Sequence, residues 1–261
     1  METLLSWFFP NHKMSLTSAR VMMLFQLVAF FIIWSVADFL FLPSPIEIGT
    51  AWWKLMGDGL LSELATSMLL SLEATMFTVV ISLLLVYASV MPFFRPLAAL
   101  ISKFRFNGVV GLTLFFTILT SSGHSLKVSL LVSTMVVWFV TSLREEVGSI
   151  SLEEYEHART LKMKEWRVVW EVVVLGRLDR VIEVLRQNAA ISWVMLTTVE
   201  GFVRTEGGIG AMLVQQAKYL HMNEVLAIQI TILGVGIALD WFWGFVRKAL
   251  FPHADLSTGG K

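Results

Sequence analysis

The sequence contains no cysteine, and this absence removes several classes of protein at once. Disulfide bonds, thiolate nucleophiles, iron–sulfur clusters and zinc sites with cysteine ligands all require that residue. The five histidines are scattered over loops and tails, and no two have a metal-ligand spacing such as H-x-x-x-H. The sequence therefore predicts neither a cysteine-based redox site nor a metal site, and it offers no recognisable catalytic residues.

Charged residues are scarce too, at 15% of the 261 residues, whereas soluble domains average about 25%. Apolar residues make up 56% of the chain, and mean hydropathy is +0.72. The 20 basic residues are balanced by 20 acidic ones, so no excess positive charge is available for a nucleic acid. The composition nearly excludes an ordinary soluble domain and predicts a protein of the lipid bilayer without a nucleic-acid partner.

Uncharged apolar runs predict six membrane-spanning helices, because charges are costly in hydrocarbon and a span needs about 17–25 apolar residues. The fifth span is the most polar of the six. The predicted fold class is an all-α membrane protein with one transmembrane domain over 21–250, between an N-terminal segment at 1–20 and a tail at 251–261. The predicted spans are 21–42, 68–91, 105–121, 127–143, 184–203 and 225–246.

Lysine and arginine residues fall mainly on one side of this six-span arrangement. That side holds both termini and the connections at 92–104 and 144–183. Because cytoplasmic connections are enriched in lysine and arginine, both termini are predicted to be cytoplasmic. Only four of the 20 basic residues fall on the other side, namely Lys54, Lys127, Arg204 and Lys218.

Two connections are long enough to fold outside the bilayer. The external connection at 43–66 carries apolar residues at helical spacing, Trp52 and Trp53 among them, which predicts a short interfacial helix ending at Gly57-Asp58-Gly59. In the cytoplasmic connection, serine followed by acidic residues predicts a helix from about Ser151 to Trp166 with an apolar stripe. A helix of this kind either rests on the lipid headgroups as a connector or docks on a cytoplasmic partner.

Three further features bear on chemistry. The chain has no G-x-x-x-x-G-K-[ST] phosphate loop, so we expect any ATP to bind elsewhere. The glycines Gly207-Gly208-x-Gly210 predict a tight turn or a re-entrant segment rather than a nucleotide site. Glu200 lies either on a functional path or at the external interface. Asp240, a few residues before Arg247, is predicted to form a structural ion pair or a helix contact.

Five short motifs, in order along the chain, resemble those of the permease subunits of ABC importers. In the cytoplasmic connection, Glu153 to Leu161 reads EEYEHARTL and resembles the start of the EAA loop of that family. The other four resemble the branch that handles nitrate, sulfonates such as taurine, bicarbonate and pyrimidine precursors of thiamine. These four are Leu42-Pro43-Ser44-Pro45, Ser71-Leu72, the turn Gly123–Lys127, and Glu200 with Gly207-Gly208-Ile209-Gly210.

The resemblance implies the type I permease fold in a bacterial plasma (inner) membrane. It implies a transport subunit rather than an enzyme, with no cofactor of its own, since ATP and Mg²⁺ would be bound by a separate ATPase. The implied partners are cytoplasmic ATPase subunits, a second permease in a homodimer or heterodimer, and an external solute-binding protein. The coupling helix that contacts the ATPase would involve Glu153, Glu154, Tyr155, Ala158, Arg159, Leu161, Lys162 and Trp166.

A solute path needs polar groups that face the centre of the bundle, and span five supplies the candidates. For the serine and threonine side chains the alternative is ordinary hydrogen bonding within or between helices. The implied solute is a small anion or a small organic molecule, which the sequence does not define further. The candidate path residues are Asn188, Ser192, Trp193, Thr197, Thr198 and Glu200.

The sequence also departs from the family pattern. Lys162 stands where the pattern has a glycine, His124 replaces a glutamate, and no proline occurs near Val174 at the end of the loop. These departures suggest one half of a heterodimer, or a permease-like anchor or assembly subunit without transport of its own. An integral-membrane enzyme is the remaining alternative, although no histidine lies within a predicted span.

Overall fold

The computed structural model describes residues 15–36 and 43–251. Three predictions fall partly outside the described residues: the N-terminal segment 1–20, the first span beyond residue 36, and the tail 251–261. All regular secondary structure in the described ranges is helical, in agreement with the predicted all-α class. The helices are α1 (Leu16–Val36), α2 (Pro45–Gly57), α3 (Leu60–Ala88), α4 (Arg95–Lys103), α5 (Val109–Leu119), α6 (Gly123–Gly148), α7 (Leu152–Thr160), α8 (Glu165–Val168), α9 (Leu178–Phe202), α10 (Ile209–Lys218) and α11 (Met222–Leu250), with 3₁₀ turns at Phe104–Phe106 and Arg204–Glu206 and a π-helical segment at Val169–Leu175.

Four of the described helices, α1, α3, α6 and α11, are long and apolar enough to cross a membrane. A fifth crossing is added if the bent pair Arg95–Phe106 and Gly111–Leu119 forms one span. The lengths and compositions of these helices are those of a multi-pass membrane protein. The six-span arrangement stays a prediction, because the third predicted span is bent and the fifth is not among the helices that qualify as apolar spans.

The third predicted span, 105–121, is not one straight helix. The chain bends by 119° between the helical stretches Arg95–Phe106 and Gly111–Leu119, and the break follows the 3₁₀ turn at Phe104–Phe106. Asn107 and Gly108 have extended backbone there, which separates this turn from α5. With 11 residues, α5 is about 16 Å long, roughly half the hydrocarbon thickness of a bilayer.

The fifth predicted span, 184–203, lies within α9, which begins six residues earlier at Leu178. Among the described helices α9 is not one of the four that qualify as apolar spans. Its position accounts for its polarity, because it packs against α3, α6, α10 and α11. Polar side chains in such a helix face protein rather than lipid.

The pair α3 and α6 forms the centre of the molecule, with both helices running in the same direction. The buried face of α3 is rich in small residues, among them Ala74, Thr78 and Ser82. Small residues let helices approach closely, and the large Phe139 of α6 fills the space opposite. We call the end of the bundle where α3 and α6 begin the α10 end, and the opposite end the α7 end.

The short helix predicted between the first two spans is present as α2. Ser44 and Glu47 form a capping box at its start, and Gly59, with a φ of +98°, follows its end at Asp58. The helix packs against α11, where Trp52 Nε1 donates to Thr231 Oγ1 over 3.0 Å. Trp53 stays exposed, so one of the two tryptophans anchors the helix and the other is free to contact lipid headgroups.

Ion pairs join α9 to α11 at the α7 end. Arg186 Nη1 donates to Asp240 Oδ1 over 2.7 Å, which confirms the structural pair predicted for that aspartate. Arg247 Nη1 donates to Glu183 Oε2 over 3.0 Å, and Glu183 also accepts from Arg186. These two arginines and two carboxylates therefore pair with one another and join the two helices.

Candidate functional site

A buried polar cluster lies at the α10 end, where α3, α6 and α9 meet the loop before α10. Glu200 has an exposed fraction of 0%. Its carboxylate accepts a hydrogen bond from Ser67 Oγ over 2.7 Å and another from the Gly210 amide over 2.9 Å. Ser67 Oγ in turn accepts from the Ile209 amide over 2.8 Å. The start of α10 is thus bound to both α3 and α9.

The glycines of this loop make the close approach possible. Gly207 and Gly208 have φ values of +68° and +105°, in the region that residues with a Cβ rarely adopt. A Cβ at Gly208 would collide with the Glu200 carboxylate, and one at Gly210 would collide with the backbone of Thr197. The tight turn predicted at Gly207-Gly208-x-Gly210 is present, and it returns the chain along α9 as α10.

Two further charged residues complete the cluster. Lys127 is only 1% exposed, and its Nζ donates to the Gly207 carbonyl over 2.8 Å. Glu63 accepts from the Gly208 amide, and both glutamates lie within Coulombic range of Lys127. A buried charge is costly unless paired and hydrogen-bonded, so this arrangement holds the loop in one conformation. The sequence identified Glu200 but missed Glu63 and Ser67, whose partners lie more than 130 positions away.

His124 lies at the rim of the cluster, between two carboxylates. Its Nε2 is 2.9 Å from Glu73 Oε2. The Glu206 side chain accepts from the His124 amide over 3.0 Å and lies 3.6 Å from its Nδ1. In the described ranges no group of three or more histidine, aspartate or glutamate residues is arranged to hold a metal ion. The contacts tie the start of α6 to α3 and to the loop before α10.

The hydroxyl and amide groups of the predicted path residues are bonded mostly within α9. Asn188 donates to the Val184 carbonyl, and Ser192 Oγ to the Asn188 carbonyl. Thr197 and Thr198 both donate to the Val194 carbonyl. These contacts are ordinary hydrogen bonds within a helix, which is the predicted alternative to a solute path.

Of the predicted path residues, Ser192 lines an open groove. This groove, of about 270 Å³, lies between α3, α6, α9 and α11. The hydroxyl residues Ser71 and Thr75 line it together with the aromatic rings of Phe139 and Trp243. Trp193 instead points to α11, where its Nε1 donates to the Ile232 carbonyl over 2.9 Å, and Glu200 belongs to the buried cluster.

The helix predicted over Ser151–Trp166 is divided in two. Ser151 and Glu154 form a capping box at the start of α7, as predicted, but α7 ends at Thr160. The chain then turns, with Lys162 in the left-handed region at a φ of +56°, and α8 begins at Glu165. One straight helix over this range is therefore wrong, because the left-handed residue redirects the chain.

Ion pairs stabilise this turn and its base. Arg159 donates from two nitrogens to the Glu165 carboxylate, over 3.0 and 3.1 Å. This hydrogen bond lowers the pKa of Glu165 and raises that of Arg159. Arg177 donates to Glu154 over 2.8 Å, so the loop is closed on itself before α9 begins.

The predicted apolar stripe of this loop has two different faces. Ala158 is buried and Tyr155 half-buried, on a helix that packs against α8 and the π-helical segment, and burial raises the pKa of the Tyr155 hydroxyl. Leu161 and Trp166 are 60% and 71% exposed and point away from the bundle. The prediction that these four residues form one continuous apolar surface is therefore wrong. Two further exposed apolar residues of the loop, Leu152 and Trp170, were not predicted.

The geometry offers two candidate sites: the buried polar cluster at the α10 end and the exposed surface of the loop at the α7 end. In comparisons with known proteins, no protein-family model matches the chain, and no curated protein gives a significant match.

Proposed function

We propose that this chain is the permease subunit of an ABC importer, with the type I fold in a bacterial inner membrane. The observation that carries the proposal is the convergence of two separate motifs, the turn Gly123–Lys127 and Glu200 with its glycines, in the buried polar cluster. The lysine of the turn motif is Lys127, the glutamate after span five is Glu200, and the glycines that follow are Gly208 and Gly210. A family that shares one fold has a physical reason to share residues that meet in space.

The loop at the α7 end gives independent support. Lys162 stands where the family pattern has a glycine, and its φ of +56° is one that glycine adopts without strain. The backbone conformation at Lys162 is therefore the one that the glycine of the family pattern would favour, although the residue itself differs. The loop surface with Leu161 and Trp166 has the exposed apolar area that an ATPase subunit would cover, since buried aromatic and aliphatic anchors dominate such interfaces.

The packing of α7 suggests how movement would be transmitted. Tyr155 of α7 lines one pocket together with Arg144 of α6, while Arg177, just before α9, donates to Glu154 of α7. A displacement of α7 by the ATPase would therefore move α9 and alter the groove that Ser192 lines. Alternating access would follow from this rocking, with the solute path near the centre of a permease dimer and an external protein delivering the solute.

The test is affinity purification of the tagged chain from native membranes, followed by identification of the proteins that accompany it. We expect an ATPase subunit in the preparation, and we expect it to be lost from Leu161→Ala and Trp166→Ala. Both side chains are exposed, so neither change should unfold the protein. Trp53→Ala is the matched control, since Trp53 is equally exposed but lies on α2.

Three outcomes decide between the alternatives. An intact membrane complex without any ATPase would refute the proposal and favour the anchor or assembly subunit. An ATPase that remains bound to both loop variants would refute the assigned docking surface. If the ATPase is present, solute-stimulated ATP hydrolysis and uptake in reconstituted vesicles distinguish a transporting permease from one that has lost transport, and a second permease species in the preparation would establish a heterodimer.

A further inference from the structure

A polar pocket of about 260 Å³ lies at the α7 end, separate from both candidate sites. Four elements surround it. Ser89 and Val90 follow the end of α3, Arg95 begins α4, Arg144 lies near the end of α6, and Tyr155 belongs to α7. One water molecule occupies about 30 Å³ in the liquid. The pocket is several times larger than that, so a tetrahedral anion has room in it.

The two arginines of this pocket have no acidic partner. Arg144 Nη1 donates only to neutral oxygens, the Ala98 carbonyl over 3.4 Å and Ser102 Oγ over 3.2 Å. The side chain of Arg95 forms no hydrogen bond or ion pair with any other described residue. Arg105, in the same region, contacts the Phe106 ring and no carboxylate. Six other arginines at this end are each bound to a carboxylate: Arg159, Arg167, Arg177, Arg180, Arg186 and Arg247.

The nearby acidic residues do not neutralise the pocket. Glu154, beside Tyr155, is bound to Arg177. Glu145 and Glu146 directly follow Arg144 in sequence, but neither lines the pocket. The lining therefore carries two guanidinium groups and the hydroxyls of Tyr155 and Ser89, without a carboxylate. Guanidinium groups match phosphate oxygens in geometry and charge, and the start of α4 adds the positive end of a helix dipole.

The position of α4 indicates where a phosphate would come from. Leu97 and Leu100 on α4 are exposed, as is Phe93 just before it. Exposed apolar side chains on a short helix beside the ends of two spans are typical of a helix at the membrane interface. The pocket therefore lies at the level of the lipid headgroups, within reach of both phospholipid and dissolved phosphate.

We propose that Arg95, Arg144 and Tyr155 form a binding site for a phosphate group, supplied by an anionic phospholipid headgroup or by free phosphate. The bound group would join α4 and α6 to α7 across the pocket. Loss of it would leave two uncompensated guanidinium groups next to the loop. The site does not depend on the proposed transport function, since it rests on the charge and geometry of the pocket alone.

The experiment uses the full-length protein, purified in detergent and depleted of lipid. Thermal unfolding is followed by tryptophan fluorescence during separate titrations with phosphatidylglycerol, phosphatidylcholine and inorganic phosphate. We expect phosphatidylglycerol or inorganic phosphate to raise the unfolding temperature of the wild type. Arg95→Gln should weaken that apparent affinity about tenfold, as expected for one lost charged hydrogen bond, whereas Arg95→Lys should retain most of it.

Arg95→Gln is the decisive variant because Arg95 is exposed and holds no other residue, whereas Arg144 also supports α4. Arg105→Gln is the control, as an exposed arginine of the same region outside the pocket. A response to phosphatidylglycerol alone identifies a lipid site, and a response to inorganic phosphate identifies a site for the free anion. No response to any of the three, or equal weakening in Arg95→Gln and Arg105→Gln, would overturn the proposal.

Discussion

Both the backbone conformation of Gly208 and the lack of space around it require a residue without a Cβ. Its φ of +105° is accessible mainly to glycine, and a Cβ there would meet the Glu200 carboxylate. We therefore expect Gly208→Ala to lower the free energy of unfolding by at least about 1–3 kcal/mol from the backbone alone. Thermal unfolding of the purified protein measures this loss.

Gly234→Ala is the matched control for that substitution. Gly234 lies inside α11, and a Cβ there has open space around it. Alanine in a helix is more stable than glycine by roughly 0.5–1 kcal/mol, so this variant should unfold at the same temperature or a higher one. A Gly208→Ala protein as stable as Gly234→Ala would show that the loop conformation is not required.

Lys162 gives a prediction of the opposite sign. Its φ of +56° is unfavourable for a residue with a Cβ, at about 1–2 kcal/mol. We expect Lys162→Gly to stabilise the turn after α7 and to raise protection of its amides from hydrogen exchange. Lys164→Gly should give no such gain, since Lys164 has an ordinary φ of −67°. Equal protection in the two variants would contradict the prediction.

At the scale of elements, the turn between α7 and α8 should depend on pH through the Arg159–Glu165 pair. The hydrogen bond from Arg159 lowers the pKa of Glu165, so its stabilising effect is present above the unfolded-state pKa and is lost as pH falls through the folded-state pKa. Glu165→Gln should therefore make the turn easier to cleave by protease at neutral pH.

The same comparison at acidic pH provides the check. Below the folded-state pKa of Glu165, wild type and Glu165→Gln should be cleaved by an acid-active protease at the same rate. Glu153→Gln serves as control, because Glu153 is exposed and has no hydrogen-bond partner among the described residues. A difference between wild type and Glu165→Gln that persists in acid would show that this carboxylate acts through shape rather than charge.

The elements themselves were predicted unequally from the sequence. Apolar length predicted α3, α6 and α11, and the serine–glutamate pattern predicted the start of α7, since both signals are local. The break before α5 depends on two residues, Asn107 and Gly108, which apolar length does not register. The buried polar cluster escaped because its partners are far apart in sequence; Ser67 and Glu200 are separated by 133 positions.

At the scale of the whole molecule, the two ends of the bundle should face opposite sides of the membrane. The chain has no cysteine, so single-cysteine variants can be labelled without background. We expect Glu153→Cys at the α7 end to react with a membrane-impermeant thiol reagent from the cytoplasmic side. Lys218→Cys at the α10 end should react from the other side, because α10 follows α9 across the bundle.

Ser15→Cys extends the test to the first helix. The lysine and arginine distribution predicts that the N-terminal side of α1 is cytoplasmic, so this variant should be labelled together with Glu153→Cys. All three positions are exposed, so a difference in labelling reports the side of the membrane on which a position lies and not its burial. Labelling of Lys218→Cys and Glu153→Cys from one side would refute the arrangement of spans.

The polarity of α9 also affects how the protein is made. Arg186, Asn188 and Glu200 oppose the entry of this helix into lipid on its own, and it leaves the ribosome before α10 and α11 have been synthesised. By then α3 and α6 have been synthesised, and their side chains Ser67 and Lys127 can interact with the Glu200 carboxylate near the end of α9. We therefore expect the insertion of α9 to depend on α3 and α6 already being in place, and to be complete only when Gly208 and Gly210 close over Glu200.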